Sequence, residues 1–127
     1  MLRTSVLVWL LAGSPVPQAR TNPFPHTARS IEAGRRIYLE HCTRCHDAKG
    51  KPVLPADPGA TRPADLTRPK EWEHGMTDRE MFDTLREGTE EMAGFKDKLS
   101  DDEIWRVIHF VRSLWPEELR RRSYEDN

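Results

Sequence analysis

Only two cysteines occur among the 127 residues, Cys42 and Cys45, so the chain lacks the cysteine density of a small disulfide-bonded secreted domain. It also lacks net charge, because 20 lysines and arginines stand against 21 aspartates and glutamates, which gives a formal charge of −1. The chain therefore lacks the excess of positive charge that binding to a phosphate backbone requires, and we expect no nucleic-acid partner. No apolar run reaches the roughly 20 residues of a membrane-spanning helix, so we expect no transmembrane segment.

The start of the chain has the pattern of an export signal. Arg3 precedes the short apolar run Val6–Ala12, and turn-forming residues follow it. We predict cleavage after Ala19 and a periplasmic or otherwise extracytoplasmic location for the mature protein. The predicted divisions are a signal peptide, an extended lead-in, one domain and a charged, solvated tail, at 1–19, 20–29, 30–116 and 117–127.

Helical signals dominate the predicted domain. Ser30 is a candidate N-cap for a first helix, and Thr77 and Ser100 each stand three positions before a glutamate, as in a capping box. Pro116 ends the last helix, and no segment shows the alternation of a strand. We therefore predict an all-α fold. The proline- and glycine-rich stretch 47–75 is long for a loop in a compact domain, unless it wraps around something.

The segment Cys42-Thr43-Arg44-Cys45-His46 has the Cys-x-x-Cys-His spacing of c-type haem attachment. Two thiols three positions apart can form thioethers to the two vinyl groups of one haem, and the adjacent imidazole then lies against the iron. Three other interpretations remain open from the residues alone. They are a thioredoxin-like redox pair, a Cys42–Cys45 disulfide, and a zinc site that recruits further histidines beside His46. The export signal and the adjacent histidine favour haem.

Over roughly Ser30–Trp115 the chain resembles the class I monohaem cytochromes c of the small bacterial type. Gly34 and Tyr38 stand before the first cysteine as a glycine and an aromatic residue do in that family, and Phe110 matches its aromatic residue on the last helix. The resemblance implies a cytochrome c fold of three to five helices around one covalently attached haem c. It also implies close contact between the first helix and the last at Gly34.

The resemblance places a methionine ligand of the iron in the loop before the last helix, and Met92 has that position. Met76 and Met81 flank a capping box, which explains them as a hydrophobic staple. Ala93 follows Met92 where the family often has proline, so the loop lacks that restraint. His74, or no sixth protein ligand, are the alternatives to Met92.

The family resemblance also implies that the imidazole of His46 donates a hydrogen bond to a proline carbonyl in the following loop. Pro58 and Pro63 are the two candidates for this acceptor. Such a bond would fix the tautomer of the imidazole and raise its donor strength toward the iron.

A haem with His46 and Met92 on its two sides has no iron position left for a substrate, so one-electron exchange is the remaining chemistry. We therefore expect a periplasmic electron carrier that meets redox protein partners, as a monomer or an enzyme-associated subunit, and not an enzyme itself. One alternative is a haem c subunit, or a module through which electrons enter, of a periplasmic dehydrogenase or terminal oxidase complex. An open-site haem sensor or peroxidase is another alternative, should Met92 not coordinate.

Charged residues of both signs flank the expected haem edge. Arg44, Lys49 and Lys51 lie in or just after the motif, whereas Glu90 and Glu91 lie beside Met92. A mixed-charge face is suited to transient, salt-sensitive complexes, so we predict that it docks redox partners.

Overall fold

The computed structural model describes residues 21–125, and the predicted signal peptide lies outside this range. Its four helices are α1 (Ala28–His41), α2 (Asp78–Glu87), α3 (Asp101–Ser113) and α4 (Glu117–Glu125), with a single turn of 3-10 helix at Pro69–Glu71. Pairing of β type within these residues consists of two isolated antiparallel bridges. The all-α prediction is confirmed. None of the described helices has the length and apolar character needed to cross a membrane.

The starts of α2 and α3 follow the capping boxes predicted from the sequence. The side chains of Thr77 and Ser100 accept the N–H groups of Glu80 and Glu103, whose carboxylates accept the N–H groups of the caps in return. The N-cap predicted for α1, Ser30, was wrong. Thr27 is its N-cap and accepts the N–H of Ser30, because Thr27 has extended backbone angles whereas Ser30 already lies in the first helical turn.

The C-terminal segment, predicted as a charged, solvated tail, forms the helix α4. The carbonyl of Pro116 accepts the N–H groups of Leu119 and Arg120 at 3.0 and 3.1 Å, which closes the first turn of α4. Leu119 packs against the hydrophobic core. Leu119 is the one apolar residue of the segment 117–123, so the sequence there shows no apolar stripe from which to predict a helix.

The first helix crosses α3 at Gly34. A Cβ atom on this residue would lie 1.9 Å from the carbonyl oxygen of Arg106 and 3.2 Å from the Cβ of Phe110, so only glycine permits the approach. One turn later Tyr38 is fully buried, with its ring centroid 4.8 Å from that of Phe110. The predicted contact at Gly34 with the helix that carries Phe110 is confirmed, and this helix is α3.

A buried ion pair joins α2 to α3. The carboxylate of Asp78, the first residue of α2, lies 2.5 Å from the guanidinium of Arg112, and both side chains are nearly inaccessible to solvent. Asn22 also binds here, because its N–H donates to Asp78 and its amide group donates to the carbonyl of Trp105, each at 2.7 Å. The lead-in before α1 is thus attached to the domain at the end of α2 opposite Met92.

Candidate functional site

The Cys-x-x-Cys-His segment lies where α1 ends. Cys42 is the C-cap of this helix, and its carbonyl accepts the N–H groups of Cys45 and His46 at 3.3 and 3.0 Å. These bonds place Cys42, Cys45 and His46 on one turn of the backbone. Both cysteines are free thiols, Cys42 half-buried and Cys45 exposed. Burial, and secondarily Cys45, raises the pKa of the Cys42 thiol to about 11, so this thiol is protonated at neutral pH.

The side chain of His46 is buried, and one of its ring nitrogens makes a hydrogen bond to the backbone. Its Nδ1 lies 3.0 Å from the carbonyl oxygen of Ala64. Because a carbonyl can only accept, Nδ1 carries the proton in this bond, and Nε2 of the neutral ring keeps a lone pair. Burial lowers the pKa of His46, and the bond to Ala64 opposes this shift. The neutral imidazole is the form that binds metals.

The identity of the acceptor corrects the sequence prediction, which offered Pro58 and Pro63. Ala64 is the acceptor because backbone bonds fix the loop in that register: the N–H of Leu66 donates to the carbonyl of Gly50 at 2.8 Å. Pro63 lies one residue too early. A carbonyl of the following loop still orients the ring of His46, as the sequence prediction expected.

Met92 lies half-buried in the segment between α2 and α3. Gly88 ends α2 with a φ of 79°, a left-handed value that favours glycine, and the chain then returns so that Gly88 pairs with Ala93. The N–H of Thr89 donates to the carbonyl of Met92 at 2.8 Å inside this turn. The methionine is therefore carried on a hydrogen-bonded hairpin, which we call the Met92 turn (residues 88–93).

Two contacts connect the Met92 turn and its flank to the two sides of the cysteine motif. The hydroxyl of Thr61, in the loop that carries the acceptor for His46, donates to the carboxylate of Glu91 at 3.3 Å. His41, directly before the first cysteine, meets Phe95 edge to face, with ring centroids 6.3 Å apart. The structure thus places the loop of Met92 beside the turn that holds the thiols and the imidazole.

The other candidate ligands have different surroundings. Met81 is buried in the core and Met76 packs against it, in agreement with their interpretation as a staple. His74 is exposed. Within residues 21–125, no three His, Cys, Asp or Glu side chains are grouped so that they could hold a metal ion.

The long loop 47–75 has one turn of 3-10 helix and borders an open cavity beside Ala64. The cavity measures about 340 Å³ and is lined by Pro52, Arg62, Pro63, Ala64, Asp65, Arg68, Glu71 and Trp72. The indole N–H of Trp72 donates to the carbonyl of Asp65 at 2.8 Å and closes one wall.

The family comparison agrees with this geometry. A model of the family described as "Cytochrome C oxidase, cbb3-type, subunit III" matches residues 29–111, well over half of the chain. The chain belongs to this family of cytochrome c domains. Membership makes it a c-type cytochrome, an electron-transfer protein whose family binds haem c covalently.

Three solved structures are similar to this fold. A chain of the Kuenenia stuttgartiensis reducing HAO-like protein complex Kustc0457/Kustc0458 is 30% identical with a TM-score of 0.62, over 74% of this cytochrome and 47% of that chain. Cytochrome c6 from the diatom Phaeodactylum tricornutum is 26% identical with a TM-score of 0.52, over 64% of this cytochrome and 88% of that chain. The KustC0563 c-type cytochrome is 29% identical with a TM-score of 0.53, over 65% and 98% of the respective chains.

This cytochrome spans about half the length of the first of these structures, at 47%. No curated protein sequence matches it significantly. The comparisons therefore define a family and a fold.

The side chains present are chemically suited to a haem c. Cys42 and Cys45 supply two thiols on one turn, which is the requirement for two thioether bonds to one macrocycle. His46 supplies an oriented imidazole with Nε2 uncommitted to Ala64. Met92 supplies a soft thioether on the adjoining loop, a ligand type that haem iron accepts opposite histidine.

The charged residues predicted to form a docking face are exposed: Arg44, Lys49, Lys51, Glu90 and Glu91. Lys51 also makes a surface ion pair with Asp65 at 3.0 Å. The face also has an apolar part that composition did not indicate, because Val53 and Leu54 are 42% and 64% exposed directly after the loop bridge to the motif.

Proposed function

We propose that this cytochrome is a periplasmic electron carrier with one haem c, attached at Cys42 and Cys45 and ligated through iron by His46 and Met92. The observation that carries the proposal is the bond from Nδ1 of His46 to Ala64, 3.0 Å long, in a chain whose family binds haem c. Because Nδ1 of His46 is bonded to Ala64, Nε2 of this buried, neutral ring remains available to bind the iron.

Each of these residues has a defined task in one-electron transfer. The haem, when bound, supplies exchange between Fe(II) and Fe(III). The carbonyl of Ala64 fixes the tautomer of His46 and strengthens its Nε2 as a donor. The thioether of Met92 favours the reduced state and raises the potential. With His46 and Met92 both bound to it, the iron would have no position left for a substrate.

The location outside the cytoplasm and the partners are parts of the same proposal. The predicted signal peptide at 1–19 supports export. Exposed Arg44 and Lys49, together with exposed Leu54, give a face of mixed character beside Cys45. Faces of this kind support brief complexes whose rate depends on salt, so we expect redox proteins as partners.

The test is the visible spectrum of the protein expressed with its export signal, oxidised and reduced, with and without carbon monoxide. We expect a haem that remains attached after denaturation and is lost in Cys42→Ala/Cys45→Ala, and a parent protein that does not bind carbon monoxide. Met92→Ala should bind it readily and have a lower potential. Met76→Ala is the matched control, because it removes a methionine that packs on the core.

Two outcomes would contradict the assignment. Rapid carbon monoxide binding by the parent protein would mean an open iron site and would favour a sensor or a peroxidase. A Met92→Ala protein with the parent spectrum and potential would remove Met92 from the ligand set, and His74→Ala would then be the next variant to measure.

A second candidate function is that of a subunit bound permanently to a larger enzyme. It is favoured by the similarity to a chain of a reducing HAO-like protein complex, and by helix α4, which continues beyond the matched residues 29–111. Purification from the native source under low salt distinguishes the two functions. A free carrier elutes as a monomer, whereas a subunit elutes with its enzyme and is released when 117–127 is deleted.

A further inference from the structure

The side chain of Thr89 bonds to the backbone of the Met92 turn. Its hydroxyl oxygen accepts the N–H of Met92 at 3.1 Å and the N–H of Glu91 at 3.3 Å. The N–H of Thr89 itself donates to the carbonyl of Met92 at 2.8 Å. Both backbone polar groups of Met92 are therefore bonded to the same residue.

This arrangement matters because a methionine side chain does not fix its own position. Methionine has three rotatable side-chain bonds and adapts to irregular spaces, so its backbone must be fixed if its sulfur is to occupy one position. The following residue is Ala93, which leaves the backbone angles unrestricted by a proline ring. The hydroxyl of Thr89 supplies a restraint from the other side of the turn.

We propose that Thr89 is a positioning residue that holds Met92 in the orientation required for axial ligation of the haem iron. The proposal rests on the proposed function, in which Met92 is the sixth ligand. Thr89 does not touch the iron in this scheme; it acts through the amide and the carbonyl of Met92. Removal of its hydroxyl therefore increases the fraction of molecules whose methionine is detached.

The rest of the segment is fixed independently of Thr89, so its substitution acts locally. The N–H of Phe95 donates to the carbonyl of Leu85 at 2.8 Å, and the N–H of Lys96 donates to the carbonyl of Arg86 at 3.2 Å. These bonds anchor the segment to the end of α2 after the Met92 turn. The fold of the domain should survive loss of the Thr89 hydroxyl.

The experiment compares Thr89→Val, which keeps the shape and removes the acceptor, with Thr89→Ser, which keeps the hydroxyl. Loss of a hydrogen bond of ordinary strength should raise the detached fraction about two- to ten-fold, and the apparent affinity of the ferrous haem for carbon monoxide by the same factor. The sulfur-to-iron charge-transfer band of the ferric protein should weaken in parallel. Thr89→Ser should behave as the parent does.

Thr61→Val is the control, because it removes a threonine hydroxyl that bonds to Glu91 and not to Met92. An equal gain of carbon monoxide affinity in this variant would overturn the proposal, since any loosening of the loop would then suffice. Thr89→Ala provides a second hydroxyl-free variant should Thr89→Val not fold, as judged by helical circular dichroism.

The proposal and the function on which it rests fail in distinguishable ways. Parent-like carbon monoxide binding by both hydroxyl-free variants, with a responsive Met92→Ala, would refute the role of Thr89 alone. Parent-like binding by Met92→Ala would refute ligation by Met92, and the positioning role would fall with it.

Discussion

Substitution of Arg112 by methionine tests the packing that fixes α2 relative to α3. The guanidinium lies 2.5 Å from the carboxylate of Asp78, and the two side chains are 3% and 6% exposed. It also stacks 5.0 Å from the ring centroid of Trp115. Methionine has similar length and can keep the contact with the indole, so the variant removes chiefly the charge.

The expected cost follows from the burial of the charge left behind. Removal of one partner from a buried pair costs about 3–5 kcal/mol, because the other ion remains desolvated. Asp78 keeps the N–H of Asn22 at 2.7 Å and its place at the start of α2, where a helix favours negative charge. We therefore expect the lower end, about 3 kcal/mol, or a decrease in Tm of roughly 12–20 °C.

Thermal and urea unfolding of the haem-loaded protein measure this loss. Asp78→Asn/Arg112→Met should be more stable than Arg112→Met, because the second substitution removes the stranded charge and keeps an acceptor for Asn22. Arg36→Met is the control: its pair with Glu32 spans 3.5 Å on the surface and should contribute under about 0.5 kcal/mol. Equal stability of the Arg112 and Arg36 variants would refute the reasoning.

Three further predictions concern the helix crossing, the dependence on pH and the docking face. Gly34→Ala should lower the free energy of unfolding by about 3 kcal/mol, because its Cβ would overlap a backbone oxygen at 1.9 Å that no side-chain rotation can move; urea unfolding measures it. Burial, and next the neighbouring His109, lowers the pKa of His26 to about 4, so the unfolded chain takes up a proton that the folded protein does not. The contribution of neutral His26 to the free energy of unfolding should therefore be fully present above about pH 6.5 and decrease toward pH 4. The variant His26→Asn should flatten the dependence of Tm on pH over that window. Reversal of charge at Glu90 and Glu91 should change the association rate with the physiological redox partner at low salt, and stopped-flow kinetics that match the parent would exclude this part of the face.

Local signals in the sequence were sufficient for two of the helix starts. The capping boxes at Thr77 and Ser100 each involve residues three positions apart, so their geometry depends on little beyond the segment itself. The start of α1 was misassigned because Thr27 and Ser30 are both capping residues. The choice depends on the backbone angles of Thr27, which the N–H bond of this residue to Pro25 helps to fix.

The helix α4 and the acceptor for His46 could not be obtained from local patterns. Leu119 packs against the core, and no other apolar residue stands in 117–123 to give a helical period. The choice of Ala64 over Pro58 or Pro63 depends on bonds between residues far apart in the chain. Sequence analysis identified the chemistry of each candidate side chain, but not the backbone groups that orient it.

The loop 47–75 shows why those backbone groups matter for function. It has almost no regular structure, yet hydrogen bonds fix its course: the hydroxyl of Tyr38 in α1 donates to the carbonyl of Asp47 at 2.6 Å, the N–H of Val53 donates to the carbonyl of Cys45 at 2.9 Å, and the N–H of Leu66 donates to the carbonyl of Gly50 at 2.8 Å. Between these points Ala64 is held against the imidazole of His46. The orientation of the proposed iron ligand is therefore set by the packing of α1 and its loop, and a partner docking at the exposed side of the motif need not alter it.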